Sequence, residues 1–356
     1  CSIDYVFPAH DDVVVALAQN AGRIRAGVVS SPPETCLVAR SKSATYRLLA
    51  DAIPVPELYA CPETIDLFPV FVKPDKGQGS RDIQLVHDRD HLRQVVAEHP
   101  DCIISEYLPG EEYTVDCFSD RQAGLLFCGG RQRIRIRSGI SMDSRPVQDD
   151  AFGEYARRIS EKLDFHGAWF FQVKRDRHGL CKLMEIAPRI AGTMALYRVL
   201  GVNFPLLSIY EQERIPLEIR TNAVDVQIDR ALVNRYKHDL SFGVVYVDLD
   251  DTLVVNGKAN TDLIRLLYQC INAGKRIVLL TRHAGDLDQC LRKHHLTGMF
   301  DDVIQLEQAA SKADCIHESN AIMIDDSFSE RKQVSEKLGI PTFDCGMIEM
   351  LFDDRV

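Results

Sequence analysis

The 356-residue chain carries eleven cysteines but not one C-x-x-C pair or other regular spacing. An odd, scattered set reads as reduced thiols in a core, which points to the cytoplasm and away from a disulfide framework or zinc site. No apolar run reaches membrane-spanning length, and no signal-peptide start precedes the first polar residues, so no membrane association is expected. Net positive charge is also missing. At −10 the chain is a poor candidate for a protein whose main partner is nucleic acid. Internal repeats and low-complexity tracts are absent. The chain opens on Cys1 rather than methionine, which suggests a fragment or a processed form.

With 46% hydrophobic residues over this length, two cores and hence two domains are expected. The most informative stretch of the first half is Pro69-Val-Phe-Val-Lys73-Pro-Asp-Lys-Gly77-Gln-Gly79-Ser80. A short apolar strand delivers Lys73 and breaks at Pro74. Gly77 and Gly79 then lack Cβ and accept positive φ, so successive N–H groups can face one anion. The pattern is not the Walker loop, which needs Gly-Lys-Ser/Thr entering a helix. Taken alone, it is also compatible with an ordinary hairpin and a solvated lysine.

Around it, Ile3 to Phe7 and Val28 to Ser31 read as short strands, the second closed by Pro32-Pro33. Ser41 caps a helix running to Ala50, with Lys42 in its first turn, where the helix dipole disfavours a cation; the residue is either an ordinary exposed lysine or one that meets an anionic ligand. A helix Asp90 to Glu98, a strand Cys102 to Glu106, the bend Tyr107-Leu108-Pro-Gly110 and a strand Glu112 to Phe118 come next. Arg131, Arg133, Arg135 and Arg137 alternate along the next strand and so share one face, either solvated or phosphate-facing. After an amphipathic helix, Ala168 to Arg175 and Cys181 to Arg189 form a hairpin that sets Gln172 beside Glu185. One carboxylate, one amide oxygen and phosphate oxygens suffice for Mg²⁺. Ile190 to Leu200 and Phe204 to Gln212 read as helices, Asp225 to Val233 as a late strand.

The ordered set of Lys42, Lys73 with its glycine loop, Ser-Glu106-Tyr-Leu108, Glu112, Gln172 and Glu185-Ile-Ala-Pro-Arg189 resembles the ATP-grasp superfamily, nearest to carbamoyl-phosphate-synthase-like and carboxylate–amine ligases. The resemblance covers about residues 41–236 and implies two α+β lobes clamping ATP. By it, Lys42, Lys73 and the loop Gly77, Gly79 and Ser80 meet phosphates. Glu106 and Leu108 meet adenine through their main chain, and Glu112 binds ribose. Gln172 and Glu185 hold Mg²⁺, and Arg189 steadies the transferring phosphoryl group. Two departures stand out. Ala187 occupies the place of the usual metal-binding asparagine, and residues 1–40 resemble only part of the family's leading α/β domain.

The second half is organised by Val244-Val-Tyr-Val-Asp248-Leu-Asp250-Asp251-Thr252. An apolar strand ends on two carboxylates two residues apart, which repel unless a cation or proton divides them. Val278 to Thr281 is a further apolar strand ending in a hydroxyl. Lys312 precedes the strand Ala321 to Ile324, which ends on Asp325 and Asp326. This set resembles the haloacid-dehalogenase (HAD) superfamily over about residues 243–356, after a polar linker at 237–242. The likeness implies a capless domain with a parallel sheet. In it Asp248 is the nucleophile and Asp250 the general acid/base. Thr281 and Lys312 bind phosphoryl oxygens, and Asp248, Asp250 (through its carbonyl), Asp325 and Asp326 form a Mg²⁺ site.

Together the resemblances imply a bifunctional enzyme. An ATP- and Mg²⁺-dependent ligase would join a small carboxylate to an amine through an acyl phosphate. A phosphatase would act on a phosphorylated substrate through an aspartyl phosphate. The alternative is a phosphatase whose ATP-grasp domain only senses nucleotide. The sequence leaves the oligomeric state open, a homo-oligomer included.

Overall fold

The structure is a computed structural model that describes residues 2–77, 83–233, 235–307 and 309–353. The chain divides into two compact units, Cys1–Ala231 and Leu232–Val356. Among the described residues no helix is long and apolar enough to cross a membrane.

The first unit is built on two antiparallel sheets. The larger runs in the order Cys181–Ala187, Gly167–Arg175, Glu112–Asp120, Gly124–Arg137, Ile140–Val147 and Ile228–Asp229. Side chains alternate across its pleat. Val115, Cys117, Phe171 and Val173 face the helices Lys42–Leu49 and Asp150–Lys162. Phe118, Phe170 and Ala187 face the opposite core with Tyr197 and Phe204. The two layers close on the sheet at Gly129 and Gly130. A Cβ there would stand 2.5 Å from the Tyr197 ring on one face and 2.4 Å from Phe152 on the other. Only a residue without a side chain admits both contacts. The smaller sheet, Leu58–Tyr59, Cys102–Glu106, Val70–Pro74 and Gln84–Val86, carries Lys73 on its third strand.

Several local expectations change. Pro32-Pro33 starts a helix, Pro33–Arg40, instead of only closing a strand, because proline at the first helical position loses no hydrogen bond. Between 190 and 200 only Ala195–Val199 is helical; the preceding turn is held by the Ala191 amide on Met194 Sδ. The late strand shrinks to Ile228–Asp229. The four arginines do not share an environment either. Arg131 and Arg133 are buried, whereas Arg135 and Arg137 are exposed, and register shifts fall between Arg133 and Ile136. A bulge inserts a residue and re-aims the side chains beyond it.

The second unit is a five-stranded parallel sheet ordered Asp302–Gln305, Arg276–Thr281, Val244–Val247, Ala321–Ile324, Thr342–Phe343. Its inner strands are almost wholly apolar, as expected where helices cover both faces. The central strand Val244–Val247 lies between those ending near Thr281 and Asp325, so three candidate side chains emerge together at the carboxyl edge. The boundary between the units falls before the polar 237–242 stretch. Between Thr252 and the helix Thr261–Asn272 there is only a hairpin, Val254–Val255 with Lys258–Ala259.

Candidate active sites

In the first unit, cations converge on Glu185. Glu185 is half-buried, and that burial holds its pKa above the usual range although Lys42, Arg133 and Arg189 pull the other way. Gln172 stands opposite it in register on the neighbouring strand. Lys73 Nζ donates to Tyr46 Oη at 3.0 Å, and that hydroxyl donates to the Met184 carbonyl at 2.7 Å. Burial, reinforced by the Lys42 charge, brings the Lys73 pKa down to about 8. A neutral hydroxyl partner leaves the ammonium short of counter-charge, so it is primed for an anion.

Lys42 lies in the first turn of its helix, yet the anion at that terminus is Asp75. Asp75 Oδ1 accepts from the Ser43 amide at 2.7 Å, and Oδ2 accepts from Ser41 Oγ at 2.7 Å. Lys42 Nζ instead reaches the carbonyls of Gly77 at 3.2 Å and Pro74 at 3.4 Å. It therefore fastens one end of the glycine loop. Gly79 and Ser80 lie outside the described residues.

Arg189 Nε donates to Asp11 Oδ1 at 2.5 Å, with the guanidinium over the Phe170 ring. Asp11, Lys42, Gly77, Glu185 and Ala187 line a cavity of only about 20 Å³, room for about one water. A triphosphate requires these walls to part. Glu112 is bonded by Arg133 Nη1, and the same nitrogen donates to Gln172 Oε1 at 2.7 Å. The Glu106 carboxylate is turned to Lys182 at 2.6 Å, and Leu108 is buried at the bend. Beside Glu106 lies a cavity of about 550 Å³ lined among others by Tyr46, Pro56, Tyr59 and Leu67.

For a divalent ion, the donors present are the Glu185 carboxylate and the Gln172 amide oxygen, to which nucleotide oxygens would add. They fit one Mg²⁺, which tolerates few protein ligands. Ala187, opposite Phe170, offers no donor.

In the second unit Lys312 is the hub. Its buried ammonium donates to Asp248 Oδ1 at 2.7 Å and to Asp325 Oδ2 at 2.6 Å. Burial raises the Asp248 carboxyl to about 6, with Lys312 pulling the other way. Oxygens of Asp248, Asp325 and Asp326 lie within 4.8 Å of one another, a hard-oxygen set suited to Mg²⁺. Thr281 is fully buried, and its hydroxyl accepts from the His283 amide at 3.1 Å. Asp325 Oδ1 accepts from the Ser327 amide at 2.8 Å. Thr252 Oγ1 accepts from the Asp326 amide at 2.9 Å and fixes that turn. Asp250 points its carboxylate at His283, whose Nδ1 is 3.0 Å from each oxygen.

Sequence reasoning missed Asp11, Tyr46 and His283, gave Thr252 no role of its own, and left Arg133 undecided. Asp11 looks like any acid favoured in a first helical turn. His283 carries no spacing signal. Arg133 was legible only as one of four similar arginines.

The geometry of the first unit corresponds to the ATP-grasp fold. A family model described as "ATP-grasp in the biosynthetic pathway with Ter operon" matches residues 98–234. Among curated proteins the chain is similar to the carbamoyl phosphate synthase large chain of Clostridium acetobutylicum, 27% identical over 159 residues. That match covers 40% of this chain and 15% of that protein's length. Among solved structures it is similar to the biotin carboxylase domain of the Hydrogenobacter thermophilus 2-oxoglutarate carboxylase, in complex with MgADP, ADP and bicarbonate. The identity is 12%, the TM-score 0.54, and 62% of this chain and 56% of that one are covered. It is also similar to N5-carboxyaminoimidazole ribonucleotide synthetase of Thermotoga maritima, at 17% identity and TM-score 0.51, covering 67% and 66%. These likenesses support an ATP-grasp superfamily fold.

Proposed function

We propose that the first unit is an ATP- and Mg²⁺-dependent carboxylate–amine ligase and the second a HAD-type phosphatase. The observation that carries the first reading is the cavity wall shared by Lys42 and Glu185, with Gln172 in register beside Glu185 and Lys73 buried on a neutral hydroxyl. The nucleotide and ion also accord with the fold, since the Hydrogenobacter neighbour is a MgADP complex. A carboxylate is a poor electrophile until phosphorylated, and its acyl phosphate yields to an amine with release of phosphate. The protein has mainly to position the reactants and neutralise charge. Lys42 and Lys73 would hold the β- and γ-phosphates. Arg189, oriented by Asp11, would meet the transferring group, and Mg²⁺ at Glu185 and Gln172 would screen the phosphate oxygens.

The second reading rests on Lys312 lying between Asp248 and Asp325. Asp248 would attack a phosphate monoester in line, expelling the alcohol with a proton from Asp250. Water, deprotonated by Asp250, would then hydrolyse the aspartyl phosphate. Mg²⁺ at Asp248, Asp325 and Asp326 would neutralise phosphoryl charge.

ADP release from ATP, screened over small acids and amines, tests the ligase. A second reading, nucleotide sensing without ligation, is favoured by donorless Ala187 and the tight cavity. It predicts nucleotide binding with no ADP release under any acid and amine pair.

A further inference from the structure

We infer that Arg133 is a resident cation of the nucleotide site and does the work of a second metal ion, so that this unit binds a nucleoside triphosphate with one divalent ion. The inference rests on the ATP-binding reading. Arg133 extends from the long strand Gly124–Arg137, and its side chain is only 5% exposed. One nitrogen, Nη1, donates to oxygens of both Glu112 and Gln172, side chains on separate strands, and leaves the Gln172 oxygen a second lone pair for the single ion it would share with Glu185. Nη2 is anchored on the Gly139 carbonyl at 2.5 Å, which sets the plane of the guanidinium. Nε is buried and meets no acceptor, so the fork keeps one donor for an incoming oxygen.

The rest of the donor set agrees. Ala187 contributes nothing to a metal. Among the described residues, no three His, Cys, Asp or Glu side chains of the first unit gather closely enough to hold an ion, whereas Asp248, Asp325 and Asp326 of the second do. A guanidinium stays charged at any physiological pH and presents several donors in a fixed plane, so it can replace a point cation without a coordination shell. Arginine at 133 therefore compensates for the donor that position 187 lacks.

The test uses the whole 356-residue chain, AMP-PNP and Mn²⁺ in equilibrium dialysis. The readout is the increase in bound Mn²⁺ per AMP-PNP bound, which cancels ions already held at Asp248 and its neighbours. One extra Mn²⁺ per nucleotide is expected. Arg133→Met should weaken AMP-PNP at least about tenfold, and Arg133→Lys should keep the single-ion increment with intermediate affinity. An increment of two in the unaltered protein, or an Arg133→Met variant that binds AMP-PNP like its parent, overturns the inference and leaves the ATP reading intact. Failure of the unaltered protein to bind AMP-PNP overturns both.

Discussion

Asp11 and Arg189 are joined at 2.5 Å, Oδ1 to Nε, across 178 positions of sequence. The bond ties the first helix of the chain to the loop after the Glu185 strand. Asp11→Asn should therefore loosen Arg189 without emptying the lysine cluster. Turnover measured as ADP release should drop by about tenfold or more, with AMP-PNP affinity nearly unchanged. Equal losses in both would show that Asp11 shapes binding and not the reacting geometry.

The phosphatase reading predicts that Asp248→Asn lowers p-nitrophenyl phosphate hydrolysis by about a thousandfold or more. Lys312 keeps Asp325 as a partner in that variant, so the fold should survive. Continued hydrolysis would remove Asp248 as the nucleophile.

Lys73 sets a pH dependence with a definite sign. Its folded-state pKa of about 8 lies below the ordinary lysine value of about 10.4. The unfolded chain thus binds more protons between those limits, and this residue's share of stability increases as pH climbs from 8 to 10.4. Nucleotide affinity should do the opposite and decline as pH passes about 8, because the ammonium is lost. Lys73→Arg stays protonated, and calorimetric titration of AMP-PNP should show a flatter profile for it.

A stability prediction concerns Arg131, the buried neighbour of Arg133. Its Nε and Nη2 grip Asp116 at 2.7 and 3.2 Å, with both side chains out of solvent. Asp116→Ala strands a buried charge and should cost about 3–5 kcal/mol in urea denaturation. The double change Asp116→Leu with Arg131→Met should recover most of that loss.

Much of the frame could be read from the chain because it rests on local rules. The apolar strand into Asp248, the hairpin pairing Gln172 with Glu185, and the serine-capped helix after Ser41 each come from periodicity or a cap. The features that stayed hidden depend on long-range geometry. No local pattern could place Asp11 on Arg189 or His283 on Asp250, and the bulges that part Arg133 from Arg135 are set by the partner strand. The helix at Pro33 was missed because a proline pair stops one element as readily as it starts another.

Trp169 is the sole tryptophan of the chain. It is fully enclosed, stacked on Phe165 at 4.0 Å between ring centres, with its indole N–H on Ser119 Oγ at 2.9 Å. Ultraviolet emission excited at the indole band is accordingly a private signal of the first unit. A change in that emission therefore reports loss of the packing around Trp169 itself, with no contribution from the three tyrosines of residues 232–356.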